Sequence, residues 1–355
     1  MKLIYLFPND FATKSANRIQ TLNFAYALDN QLSDNFLFIS GSGYTQDVLN
    51  GLGINEKSKN HIEIDFTYKK GITIQFVYKL FQLGIFKANN NILYMRDYKL
   101  LLILSKLKKY GLVKNQLIFE LHEVPELKIL NALKSVDKLV CISKAIYEDL
   151  PVSLQNKPYS IAHDGFNSHH LESQDNSLID FDEGKTILYI GTYQEWKNIE
   201  YIVKLAKILK EVNFLLIGIE KEKIKESMDH DLSNINFIDY VEHKEIYKIL
   251  QKTKYAIYTL NPKFSIAKYT SPLKLFEYLS FGITVFAPNY LSIKEVLEDK
   301  KNAYLYDMDD IDKTAKLIKN IINNNQILDK NKVQKSIKQY SWDERARKVK
   351  SFVQS

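Results

Sequence analysis

Short apolar runs and stretches of helical period alternate along this chain from end to end. In the first half, KLIYLF, NFLFIS, NILYM, QLIFEL and KLVCIS predict buried strands, with helices over Ile19 to Leu28, Leu100 to Lys109 and Lys144 to Leu150. In the second half, TILYIG, NFLLIG, INFID, YAIYTL and TVFAP predict strands, and helices are predicted over Ile199 to Lys210, Glu245 to Lys252 and Leu273 to Ser280. Strand and helix in strict alternation describe an α/β chain with doubly wound sheets. The stretch from Phe166 to Lys185 is polar and without period, so it predicts a boundary after the Gly165 turn.

A chain of 355 residues with 45% hydrophobic residues is long enough for two such domains, each with its own core. Cys141 stands alone inside KLVCIS, which excludes a disulfide framework within the chain and predicts a buried, inert thiol in a reducing cytoplasm. The N-terminal MKLIYLFPND has an apolar run stopped by Pro8, Asn9 and Asp10. It is too short for a signal-peptide core or a membrane span and reads as a first strand. The expectation is a cytoplasmic protein, either free or resting on a surface.

The segment SPLKLFEYLSFG carries the most chemistry. Ser271 suits an N-cap and Pro272 the first helical position, which leaves the amides of the opening turn without intrahelical partners at the positive end of the helix dipole. Such a start cradles phosphate. Lys274 and Glu277, three apart, share a face, so the ligand implied carries phosphate and hydroxyls. An ordinary capped amphipathic helix is the plain alternative. Gly282 and a buried strand follow, which puts the helix beside a sheet, where nucleotide sites of open α/β sheets lie.

From Ser271 through ITVFAPNYLSIKEVL the chain resembles the donor-site signature of the retaining GT-B glycosyltransferases of family 4. The resemblance implies two Rossmann-like domains facing a central cleft: residues 1–168 binding acceptor, 169–340 binding a nucleotide sugar, and a helix at 341–355 crossing back to the first domain with Trp342 as its anchor. Ser271, Pro272 and Leu273 would meet the diphosphate and Glu277 the ribose. ILYIGTYQEWKN resembles the first strand and loop of the donor domain, which assigns Lys197 to the diphosphate and places Thr192 beside it. FLLIGIE and FIDYVEHKEIYKIL resemble the base- and ribose-holding segments, with Gly218, Tyr240 and Val241. SVDKLVCISKAIYEDL and YSIAHDGFN resemble the last strands of the first domain. ELHEVPEL puts His122 where the family has a histidine beside the transferred sugar. Arg96 and Asp97 of YMRDY, with Asn17 in the first loop, are candidates on the acceptor side.

Two departures stand out. The family often has a second glutamate eight residues before the helix carboxylate, where this chain has Tyr269. The arginine that commonly follows the donor-strand glycine is replaced by Thr192 and Tyr193. Lys274, in the first turn of the phosphate-binding helix, is then the substitute cation. Lys197 and Lys274 would stabilise charge building on the leaving diphosphate. No D-x-D pair stands in a convincing setting and no His/Cys cluster appears at metal spacing, so the expectation is metal-independent transfer with no cofactor, the substrate being a UDP- or GDP-linked sugar. The resemblance implies no nucleophilic carboxylate; the leaving phosphate would act as base, with retention.

Net charge is +7. From Phe66 to Phe119 ten cations face one acid, Asp97, and aromatic residues lie between them. The mixed apolar and basic GITIQFVYKLFQLGIFK resembles an interfacial helix, which predicts peripheral contact with an anionic surface at the inner face of the plasma membrane. No nucleic-acid module is present. The expected activity is transfer of a sugar to a glycan or lipid-linked glycan in cell-surface polysaccharide synthesis. A nucleotide-sugar epimerase and a non-catalytic sugar-nucleotide-binding subunit are the alternatives; a dehydrogenase is disfavoured, since no G-x-G-x-x-G follows a strand.

Overall fold

The computed structural model describes residues 1–11, 16–50, 57–66, 70–167, 179–224, 232–239, 241 and 243–355. The chain divides into two compact units, Met1–Gly165 with Trp342–Ser355, and Phe166–Ser341.

In the first unit, β1 (Leu3–Phe7), β2 (Phe36–Gly41), β3 (His61–Ile64), β4 (Ile92–Met95), β5 (Gln116–Leu121), β6 (Lys138–Cys141) and β7 (Tyr159–Ile161) form a parallel sheet in the order β3-β2-β1-β4-β5-β6-β7. In the second, β8 (Thr186–Ile190), β9 (Asn213–Ile217), β10 (Ile235–Ile238), β11 (Tyr255–Ile257), β12 (Thr284–Pro288) and β13 (Tyr304–Tyr306) are likewise parallel, ordered β10-β9-β8-β11-β12-β13. Each order reverses beside its first strand, at β1/β4 and at β8/β11. These are the switch points outside which α/β sheets bind ligands. Cys141 is buried on β6, and burial pushes its thiol up to about 12, so it stays protonated.

The central strands are apolar on both faces, as parallel strands covered by helices must be. Periodicity does not reveal β3 and β13, because both are half-exposed edge strands of three or four residues. The predicted first helix, Ile19 to Leu28, extends over Ala16–Leu32. Its extension keeps Asp29, buried despite its charge because its carboxylate accepts bonds from Ser58 Oγ, the Lys59 amide and Asn60 Nδ2 at 2.6–2.8 Å. Two predicted helices stop early, at Glu148 and Ile208.

The helix Trp342–Gln354 packs along Ala16–Leu32. Trp342, Ala346, Val349 and Val353 share one buried stripe at helical spacing. Trp342 lies 6.5 Å from the Phe24 ring centroid. The helix ends on Lys138, whose ammonium donates to the carbonyls of Phe352 and Val353 at 2.8 and 3.2 Å, where the dipole favours a cation.

Candidate functional site

In the second unit the predicted donor residues collect where β8, β9 and the segment after β11 end. The Ile190 amide at the tip of β8 donates to Tyr278 Oη at 2.8 Å, which ties the strand end to the helix Leu273–Ser280. Beyond it the loop carrying Lys197 is fastened to the β11 exit: Thr259 Oγ1 donates to the Lys197 carbonyl at 2.6 Å and the Asn261 amide to that of Trp196 at 2.7 Å. Lys197 Nζ donates to the carbonyl and hydroxyl oxygens of Thr192 at 2.9 and 3.2 Å and lies 5.2 Å from the Trp196 ring centroid. Burial, and then the charge of Lys274, lower its pKa to about 8. Gly218 has φ of +87°, and a Cβ there would sit 2.9 Å from the Gly191 carbonyl oxygen, so the β8 and β9 exit turns approach as closely as glycine permits. Val241 is half-buried against the core; Tyr240 lies outside the described residues.

The helix Leu273–Ser280 matches its predicted span, but its cap is one residue later than expected. Pro272, with φ −81° and ψ 114°, occupies the N-cap, Leu273 is the first helical residue, and Ser271 stands buried outside the helix. The amides of Leu273 and Lys274 still lack acceptors within the helix, while those of Leu275 and Phe276 donate to the Pro272 carbonyl at 3.1 and 3.3 Å. Lys274 Nζ and Glu277 Oε2 are 2.6 Å apart and hold each other. The helix closes at Gly282, where φ is +72° and a Cβ would fall 2.3 Å from Lys330 Cγ. Lys197, Lys274 and Glu277 thus form one charge cluster with an excess positive charge beside a helix start, a chemistry suited to a diphosphate with a hydroxylated neighbour. Thr192 is exposed at its edge.

In the first unit the acceptor-side candidates behave differently. Asp97 caps the helix Tyr98–Lys109, accepting from the Leu100 amide at 2.8 Å, and also accepts from Asn9 at 3.3 Å. Arg96 turns away from it, to Gln20 Oε1 at 2.9 Å and His122 Nδ1 at 3.3 Å. His122 Nε2 meets Glu120 Oε1 at 2.6 Å. Both ring nitrogens are therefore engaged inside the unit: Arg96 can only donate, which makes Nδ1 the acceptor and places the proton on Nε2. Burial, and then Arg96, lower the His122 pKa, so the ring is neutral. Asn17 is exposed at the start of its helix, its carbonyl accepting from Thr21 Oγ1 at 2.9 Å.

The centre of this network is Glu120 with Arg345, which the sequence reading missed. Glu120 accepts from Tyr94 Oη, Arg345 Nη2 lies 2.8 Å from its Oε2, and Arg345 Nη1 donates to Asp164 Oδ1 at 2.7 Å. Gln20 Nε2 donates to the other Asp164 oxygen at 2.5 Å. Burial opposes the Glu120 charge, but Arg345, His122 and Arg96 hold its carboxyl well below the usual range. Two signals were available: Glu120 and His122 alternate on one strand face, and Arg345 follows Trp342 by three residues on one helix face.

The family described as glycosyl transferases group 1 matches residues 172–349. That is half of the chain, and the chain belongs to this family. It is 26% identical over 162 residues to an uncharacterized glycosyltransferase of Haemophilus influenzae, the match covering 41% of each, so the chain spans about two fifths of that relative's length. Among solved structures it resembles Anabaena HepE in complex with UDP, at 12% identity over the whole of both chains and a TM-score of 0.74. It also resembles the lipopolysaccharide outer core galactosyltransferase WaaB, at 15% identity over 99% of each chain and a TM-score of 0.73. At these identities the likeness is one of fold. The fold is GT-B, two Rossmann-like α/β domains.

Proposed function

We propose that this protein is a retaining, metal-independent glycosyltransferase that moves a sugar from a nucleotide-sugar donor to a glycan or lipid-linked glycan in cell-surface polysaccharide or glycoconjugate synthesis. The observation that carries the reading is the cluster of Lys197, Lys274 and Glu277 beside the open start of the Leu273–Ser280 helix, at the switch point of the second sheet. HepE is solved with UDP and with UDP-glucose, which supports a uridine nucleotide, and WaaB is a galactosyltransferase, which supports sugar transfer. In this reading the helix amides and Lys197 hold the diphosphate. As the glycosidic bond breaks, charge gathers on the leaving phosphate, and preorganised donors there lower the barrier. Glu277 exchanges Lys274 for ribose hydroxyls, and Lys274 then turns to phosphate.

One observation favours a second reading, a non-catalytic sugar-nucleotide-binding subunit: both ring nitrogens of His122 are engaged. Product analysis with UDP-glucose and GDP-sugars, with and without glycan acceptor, separates the two. Transfer with the anomeric configuration kept supports the enzyme; donor binding with no turnover across acceptors supports the subunit.

The Lys197 amine adds a pH signature. Its pKa of about 8 lies below that of a free lysine because of burial and the Lys274 charge. A bound diphosphate favours the ammonium and raises that pKa, so UDP binding takes up a proton at pH near or above 8. Affinity should be full below that pH and fall as pH rises through it. Calorimetry in two buffers of different ionisation heat measures the uptake; equal heats at pH 8.5 would remove Lys197 from the diphosphate site.

A further inference from the structure

We infer that the helix Ile72–Gln82, together with the end of Tyr98–Lys109, is a docking face for an anionic bilayer surface. Ile74, Tyr78 and Phe81 fall at i, i+4 and i+7, one stripe of a helix, and Leu83 follows them. These four are between 40% and 69% exposed, while Phe76, Val77 and Leu80 on the opposite face are buried. The helix is thus apolar on the side that holds it to the sheet and apolar again on the side that faces out. Phe81 sets its ring edge-on against buried Phe86, 4.6 Å between centroids, while Ile74, Tyr78 and Leu83 leave most of the stripe open, and contiguous apolar surface of this kind marks a contact site.

The topology extends the patch. The helix Ile72–Gln82 joins β3 to β4 and Tyr98–Lys109 joins β4 to β5. Both crossovers step the same way through the sheet, so right-handedness puts both helices on one face, where they pack together. Both run antiparallel to the strands, which brings their C-terminal ends to the same edge. At that edge Tyr110 and Leu112 are also exposed, at 75% and 57%.

Charge decides the partner. No Asp or Glu occurs from Phe66 to Arg96. Of the ten cations between Phe66 and Phe119, Arg96 turns inward, Lys108 is bound to Asp137, and Lys69 lies outside the described residues; the other seven are exposed. Lys79 and Lys87 flank the first helix end, and Lys106 and Lys109 the second. A rim of lysines around aromatic and aliphatic side chains, with acids absent, complements anionic headgroups with the stripe lying in the interfacial plane. A second copy of the same face would instead meet like charge.

Co-sedimentation with vesicles of phosphatidylcholine, and of phosphatidylcholine mixed with phosphatidylglycerol, tests this across a salt series. Binding is expected to the mixed vesicles, steeply weakened by salt as the Debye length shrinks. Lys79→Glu with Lys109→Glu should weaken it at least about 25-fold, about fivefold for each lysine lost. Tyr78→Ser with Phe81→Ser should remove the binding that survives at high salt. Circular dichroism confirms that each variant is folded, and the salt series on the unmodified chain stands if either variant is not. Equal sedimentation with both vesicle types, or unchanged binding in the lysine pair, overturns the proposal. So does a dimer that the apolar pair dissolves in the absence of any vesicle binding.

Discussion

Arg345→Ala is expected to destabilise the first unit by about 3–5 kcal/mol, the cost of breaking a buried ion pair from one side. Glu120 and Asp164 both lean on this guanidinium and both are buried, so truncation leaves two carboxylates without their main cation. The same side chain lies 4.7 Å from the Phe24 ring centroid and 5.5 Å from that of Trp342, so packing between the two helices goes with it. Against a domain stability of about 5–15 kcal/mol the loss is large. Each unit contains one of the chain's two tryptophans, Trp196 in the second and Trp342 in the first. In a Trp196→Phe background, urea unfolding followed by fluorescence therefore reports the first unit alone. Adding Glu120→Gln to Arg345→Ala should recover part of the loss, because the stranded charge is then gone. A midpoint for Arg345→Ala within error of the parent would show that the cluster carries no stability.

The fold was legible because buried parallel strands are apolar on both faces and need no partner information to be seen; QLIFEL and TVFAP match β5 and β12 end to end. What pattern could not give was anything decided by a distant residue. Lys108 reads as a surface lysine in a helix's last turn, yet Asp137, next to β6, captures it. Pro272 fits an N-cap or a first helical position equally by its φ. Only its ψ of 114° settles the matter, and the surrounding fold sets that angle. Gly218 was legible as a turn, but not the close approach of Gly191 that requires glycine there.

The charge clusters show the same limit in two forms. Lys274 and Glu277 are three apart on one helix, so their pairing follows from helical geometry alone. Glu120 and Arg345 are brought together only by the return of the last helix to the first unit, and a single sequence shows each merely as a polar residue on an apolar face. The resemblance puts His122 beside the transferred sugar, and sequence alone shows nothing of what holds its ring. Its neighbours Arg96 and Glu120, which occupy its two nitrogens, come from β4's end and from its own strand.

Lys197→Ala should weaken UDP and intact donor alike by about 1.5–3 kcal/mol, the worth of a hydrogen bond to a charged group, while the urea midpoint of the second unit stays in place. The ammonium is half-buried and its contacts within the chain go to Thr192 and to the Trp196 face, so truncation removes the charge without stranding an opposite one. If charge builds on the diphosphate in the transition state, kcat falls further than affinity, by about 10²–10³, as when a preorganised donor is lost elsewhere. Glu277→Gln supplies the contrast. It releases Lys274 from its 2.6 Å ion pair, so UDP affinity should suffer less than in Lys197→Ala, and the loss should shrink for a 2′-deoxy nucleotide that cannot make the ribose contact. Calorimetry on the two variants with UDP and 2′-deoxy-UDP reads both effects. Unchanged UDP affinity in Lys197→Ala, or an equal loss with both nucleotides in Glu277→Gln, would return these side chains to the roles they hold in this structure: an anchor for the β8 exit loop, and one half of a helix ion pair.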